Sequence, residues 1–155
     1  MKKILITIVF IIVSFMIIQA IRYNYEGRNV KNFEFSELNN NVAVLDDVFD
    51  KTEDKLIPYI LPDCESCMKE IEELSSRNKL NKSQIIVISF GLTNFNYQEF
   101  HQNNFKHKEI TFLIDRNNTF FRDFGLGFTE EFPTLIKYNL YTSEFKKVAI
   151  SLSSL

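Results

Sequence analysis

Apolar residues fall into three regimes along this chain. From Ile4 to Ile21 they form a nearly continuous run, interrupted by Thr7, Ser14 and Gln19 alone. Residues 23–41 are polar and rich in Asn and Glu, which reads as a linker into a first extended segment, with Asn39-Asn40-Asn41 as a turn. From residue 42 onward the apolar positions come in short blocks. Val42 to Leu45 predicts a short strand before an acidic turn at Asp46 and Asp47. Lys55 to Leu61 predicts a buried strand ended by Pro62-Asp63, although Pro58 inside it fits only an edge or a bulge. Glu65 to Arg77 has helical spacing, with Met68, Ile71 and Leu74 on one stripe.

The alternation continues. Gln84 to Phe90 is apolar enough for a central strand buried on both faces. Asn96 to Phe105 predicts a helix, Ile110 to Ile114 a strand closed by Asp115 to Asn118, and Thr119 to Phe124 a short helix stopped by Gly125. Thr134 to Tyr138 and Phe145 to Ile150 predict a hairpin around Asn139 to Ser143. This order implies an α/β sandwich with a mixed sheet. The chain divides accordingly into an N-terminal segment 1–22, a linker 23–41 and one folded domain 42–155, since 155 residues suit one core.

The N-terminal run nearly matches a bilayer's hydrocarbon thickness of roughly 30 Å at about 1.5 Å per helical residue. Lys2 and Lys3 precede it and place the N-terminus in the cytoplasm. The run is longer than a usual signal-peptide core, and Ile18-Gln19-Ala20 is a poor cleavage site, so an uncleaved anchor is favoured over a cleaved signal. With no cysteine after the run, a bacterial lipoprotein anchor is excluded. Either way the folded domain is expected outside the cytoplasm, facing the periplasm or the cell exterior.

Charge narrows the function classes. The chain has 18 basic and 20 acidic residues, a net charge of −2. Lys2, Lys3 and Arg22 are the only charges in the first 22 residues, which leaves 15 basic against 20 acidic and a formal −5 beyond them. Nucleic-acid binding is disfavoured. The 16 phenylalanines, among them Phe95, Phe100, Phe105, Phe120, Phe121, Phe124, Phe128 and Phe132, are better read as core than as a peptide-binding surface.

The chemistry rests on the two cysteines. Cys64-Glu65-Ser66-Cys67 follows a predicted strand and opens a predicted helix. Unpaired backbone N–H groups and the helix dipole favour a thiolate there. A thiolate is both the attacking and the better leaving group in disulfide exchange. Cys64 is the expected attacker and Cys67 the more buried resolver. Competing readings are half of a zinc site, for which His101 and His107 show no ligand spacing, and a permanently closed structural disulfide.

With this unit on the page, the sequence resembles the thioredoxin superfamily, and within it the membrane-tethered thioredoxin-like reductases of the TlpA type. The strand–CxxC–helix unit at Leu56 to Leu74, the Phe132-Pro133-Thr134 element before a late strand, and the N-terminal anchor carry the likeness, which spans Asn41 to Ile150. The resemblance implies a three-layer thioredoxin-like sandwich with a mixed central sheet, preceded by one membrane helix. It implies that Pro133 is cis and that Phe132, Pro133 and Thr134 line the substrate groove, where a peptide adds a short strand; the bland alternative is an ordinary turn proline. Glu70, three residues after Cys67, matches a carboxylate assigned to proton transfer, or is one more glutamate on a solvated face.

The implied activity is extracytoplasmic thiol–disulfide exchange on protein substrates, as a reductase. No cofactor beyond the redox-active disulfide is expected, and electrons would come from a membrane thiol carrier, since no nucleotide or flavin motif is present. Departures from the family pattern are Asp63 in place of a tryptophan, Ser66 in place of a proline, Pro58 where thioredoxins bury an acid, and an end at Leu155 without the usual last helix. Asp63 and Glu65 are expected to oppose thiolate formation at Cys64. Two rival classes stay open. A peroxiredoxin-like peroxidase needs a Pro-x-x-x-Thr/Ser-x-x-Cys context, which Ile57 to Cys64 does not provide. A non-catalytic thioredoxin-like binding module fits the missing tryptophan and last helix.

Overall fold

The computed structural model describes residues 7–18, 29–81, 83–91, 94–127 and 129–148. Residues 7–18 form a helix, α1, whose side chains stay largely exposed, Phe10 to 73% and Met16 to 65%. No helix among the described residues is long and apolar enough to cross a membrane. Lys2, Lys3, Arg22 and the ends of the Ile4–Ile21 run lie outside those residues, as does Phe128.

A single mixed sheet organises the rest. Its strands are β1 (Glu34–Ser36), β2 (Val42–Val44), β3 (Asp54–Ile60), β4 (Gln84–Phe90), β5 (Ile110–Asp115), β6 (Thr134–Asn139) and β7 (Glu144–Val148), in spatial order β2-β1-β5-β4-β3-β6-β7. Strands β3, β4 and β5 are parallel, while β6 runs antiparallel to β3 and β7 antiparallel to β6. The helices are α2 (Leu45–Val48), α3 (Glu65–Asn81), α4 (Tyr97–Asn104) and α5 (Phe120–Asp123). Alternating strand residues feed two cores. On one face Ile57, Tyr59, Ile86, Ile88 and Ile136 pack with Leu45 of α2 and Phe120, Phe121 and Phe124 around α5. On the other, Ile60, Val87, Phe112 and Ile114 pack with Cys67 and Ile71 of α3 and Tyr97 of α4. These three layers are the expected sandwich, and the phenylalanines named above that are described pack against one core or the other.

The sequence expectation fails at two places. Part of the stretch read as linker belongs to the sheet: a short 3-10 turn (Val30–Asn32) and β1 precede residue 42, and Val30, Phe33 and Phe35 are buried. The polar composition misled because β1 turns Phe35 inward between Glu34 and Ser36, so a three-residue strand needs only one apolar side chain. Pro58, too, is not at an edge. It sits in β3 between two neighbours, in an unbroken ladder with β6 opposite Leu135. The ladder to β4 instead skips Ile57 and Pro58, resuming at Tyr59. The proline's missing donor thus falls on the β4 side, at the cost of one local gap. Of the predicted last strand, Ala149 and Ile150 lie outside the described residues, as do residues 151–155, where the expected end without a last helix falls.

At the carboxyl ends of the parallel strands the backbones come very close. The Gly91 N–H donates to the Asp115 carbonyl at 3.0 Å. A Cβ at Gly91 would lie 2.5 Å from that carbonyl oxygen and 2.6 Å from the Arg116 Cα, both backbone atoms that cannot swing aside. Gly91→Ala is therefore expected to lower the unfolding free energy by about 2 kcal/mol, read as a lower urea midpoint at unchanged slope.

Candidate active site

Strand β3 delivers the cysteines. After Ile60 the chain makes a tight turn, closed by the Cys64 N–H donating to the Leu61 carbonyl at 3.3 Å, and α3 begins at Glu65. The Cys64 carbonyl accepts from the Met68 N–H at 3.2 Å, which makes Cys64 the N-cap residue of α3. Its side chain acts as a cap as well: the Cys67 N–H donates to Cys64 Sγ at 3.2 Å, where a serine or aspartate oxygen commonly accepts. The Ser66 hydroxyl lies 3.2 Å from the same sulfur. When the bond between the cysteines opens, these donors and the helix terminus face the sulfur that carries the negative charge.

Cys64 and Cys67 are joined in a disulfide with their Cα atoms 5.2 Å apart. The two sulfurs live in different environments. Cys67 is fully buried (0% exposed) among Ile60, Ile71 and Val87, whereas Cys64 is only half-buried. Asp63 and Glu65 are both exposed, but the Lys69 ammonium sits 2.8 Å from Glu65 and holds its carboxyl below the usual range, so part of the opposing charge at Cys64 is offset locally.

The Phe132–Pro133 bond is cis, and Thr134 next to it starts β6. Thr134 pairs with Tyr59, five residues before Cys64, so the cis-proline loop and the CxxC turn leave the sheet at the same end, from adjacent strands. Phe132 is half-buried and contributes to both cores, including the one that holds Cys64 and Cys67. Thr134 is 1% exposed, and its hydroxyl donates to the Glu131 carbonyl at 2.7 Å, so its side chain shapes the loop from within. Glu70 is half-buried on the next turn of α3; burial raises its carboxyl above the usual range, and the charge of Glu73 adds to this. Among the described residues no group of three or more His, Cys, Asp or Glu side chains could hold a metal.

One arrangement at this end escaped the sequence reading. Tyr59, 0% exposed, donates its hydroxyl to Asp115 Oδ2 at 2.9 Å, and Asp115, 1% exposed, also accepts from the Thr119 and Phe120 N–H groups at 2.9 Å each. The only signal in the sequence was a tyrosine in an apolar strand and an aspartate closing another, and neither pattern names a partner.

Neither a protein-family model nor a curated protein matches this chain. Solved structures do. DsbF of Mycobacterium tuberculosis, in mixed oxidised and reduced forms, superposes with a TM-score of 0.60 at 15% identity, over 81% of this chain and 89% of its own. A secreted disulfide oxidoreductase of the same organism, homologous to Escherichia coli DsbE, gives 0.58 at 14%, over 80% and 87%. An exposed lipoprotein thioredoxin of Streptococcus pneumoniae gives 0.56 at 12%, over 78% and 90%. At such identities the likeness establishes the fold: this is a thioredoxin-like domain carrying a CxxC pair at the start of its first long sheet-packed helix.

The unequal burial of the two sulfurs has a direct consequence. In the reduced full chain, a bulky maleimide is expected to modify Cys64 at least about tenfold faster than Cys67, since reactivity follows access and thiolate character. Mass spectrometry of timed samples reads this, and equal labelling of both cysteines would contradict the assigned order of attack.

Proposed function

We propose that this protein is a thiol–disulfide oxidoreductase that reduces disulfides of protein substrates outside the cytoplasm. The observation that carries this reading is the bonded Cys64–Cys67 pair at the N-terminus of α3, with one sulfur half-exposed and the other in the core, beside a cis proline. In the reduced enzyme the Cys64 thiolate attacks one sulfur of a substrate disulfide. A mixed disulfide forms and one substrate thiolate leaves. Cys67 then loses its proton and attacks Cys64 Sγ, which releases the second substrate thiolate and closes the Cys64–Cys67 bond. Two electrons pass to the substrate, and a membrane thiol carrier returns them to the pair. Phe132, Pro133 and Thr134 form the wall along which the substrate backbone lies.

Glu70 serves as proton acceptor for Cys67, one helical turn away. Its raised carboxyl suits the task, because a base titrating nearer neutrality exchanges protons more readily. Location outside the cytoplasm is supported by the apolar run Ile4–Ile21 behind Lys2 and Lys3, with the run as membrane anchor. The secreted and surface-exposed homes named for two of the similar structures point the same way.

Two measurements test this function. Cys67→Ser in the full chain, extracted under alkylating conditions, is expected to hold substrate proteins as mixed disulfides that dithiothreitol releases. If none is trapped, exchange is lost and a binding-only role takes its place. The reduction potential of the pair, read by glutathione equilibration, is expected near about −270 mV, and a value near about −120 mV would reverse the direction of electron flow.

The proposed part played by Glu70 separates from any structural one by sign. A carboxyl with a folded pKa above its unfolded value binds more protons when folded, so it costs stability increasingly as pH rises through that interval. Glu70→Gln is therefore expected to leave the thermal midpoint unchanged or raised at pH 7, with the difference gone near pH 4. The release of the mixed disulfide should slow by about tenfold or more.

A further inference from the structure

Tyr59 lies directly beneath the cis-proline loop, on the same strand that leads to Cys64. Its ring stacks on Phe120 at 4.0 Å between centroids, and meets Phe121 at 5.6 Å and Phe132 at 5.2 Å. Ring packing holds Phe132 against Tyr59. The hydroxyl fixes Tyr59 in turn. It donates to Asp115, whose carboxylate is fixed by two backbone N–H groups, and it lies 3.5 Å from Asn118 Oδ1. Asn118 in turn donates to Glu130 Oε1 at 2.9 Å, two residues before Phe132. Burial and the neighbouring Asp115 charge push the phenol well above its ordinary value, so it remains a donor throughout the working pH range.

We infer that Tyr59, pinned by Asp115, is a positioning residue for substrate: it sets the Phe132–Pro133 wall at a fixed distance from the Cys64 turn, and so governs the binding of extended protein substrates while leaving the sulfur chemistry untouched. The inference rests on the exchange activity proposed above. Tyr59 reaches the loop by ring contact with Phe132, and it reaches Cys64 along its own strand and the turn that follows it. Both sides of the groove therefore refer to one side chain.

The test uses the reduced full chain in detergent, with Tyr59→Phe, which keeps the ring, and Asp115→Asn, which keeps the shape but weakens the acceptor. Each is followed in single turnover against insulin, a protein disulfide, and against dithiobis(nitrobenzoate), a small disulfide that needs no groove. The expected result in either folded variant is a half-saturating insulin concentration raised about fivefold, the size that follows when a hydrogen bond of ordinary net worth no longer organises the bound state. The limiting rate, the rate with the small disulfide and the reduction potential stay within twofold in rate and unshifted in potential. A merely structural role would lower both substrates' rates together, and that result overturns the inference, as does an unchanged half-saturation. If the unaltered protein reacts with the small disulfide but leaves insulin intact, the exchange function itself falls, a result distinct from failure of the positioning role of Tyr59 alone.

Discussion

Strand β3 is the constraint on which the rest of the structure depends. It is paired with β4 on one side, with a gap at Ile57 and Pro58, and with β6 on the other, and its side chains alternate between the two cores, Ile57 and Tyr59 on one and Ile60 on the other. Because both edges are occupied and both faces are covered, the strand cannot shift register without expelling apolar groups to water. The segment that leaves its end, Leu61 to Cys64, therefore starts from a fixed point. The same ladder carries β6, so the cis-proline loop starts from the neighbouring fixed point.

Chemistry at the site follows from that anchoring together with a change in local geometry. Where β3 ends and α3 begins, the backbone has donors without partners, and Cys64 Sγ takes one of them as a helix cap would. Three positions later the helical turn points Cys67 into the core, so two chemically identical side chains acquire unequal access. The difference between an attacking and a resolving sulfur is thus a difference in burial, produced by one turn of helix packed on a sheet.

Polar groups at the opposite end of β3 obey a related rule. Lys55 is fully buried, and its ammonium donates to Asp50 Oδ1 and to the Thr52 carbonyl at 2.9 Å, with the Phe49 ring beside it at 5.6 Å. A buried charge persists only when its donors are matched, and here the short loop before the strand supplies the acceptors. At the site end the buried Asp115 is matched by two amides and a phenol. Both are local solutions to desolvation, yet the second connects elements that frame the cysteines, whereas the first ties a loop to its own strand.

Several elements were legible in the sequence because they depend on near neighbours in the chain. The apolar run of Gln84–Phe90, the helical stripe of Met68, Ile71 and Leu74, and the CxxC at a strand-to-helix junction all follow from residues a few positions apart. Strand β1 was hidden because a three-residue strand buries only Phe35, too little to outweigh its polar surroundings. Pro58 looked misplaced because the sequence cannot say which side of a strand has a ladder to lose. The pairing of Tyr59 with Asp115, 56 positions apart, came only with the fold. Local pattern determined which elements form and where the reactive pair stands; the long-range packing alone decided how deeply each sulfur is buried and what holds the opposite wall, since burial and buried hydrogen bonds belong to the assembled core and to no single segment.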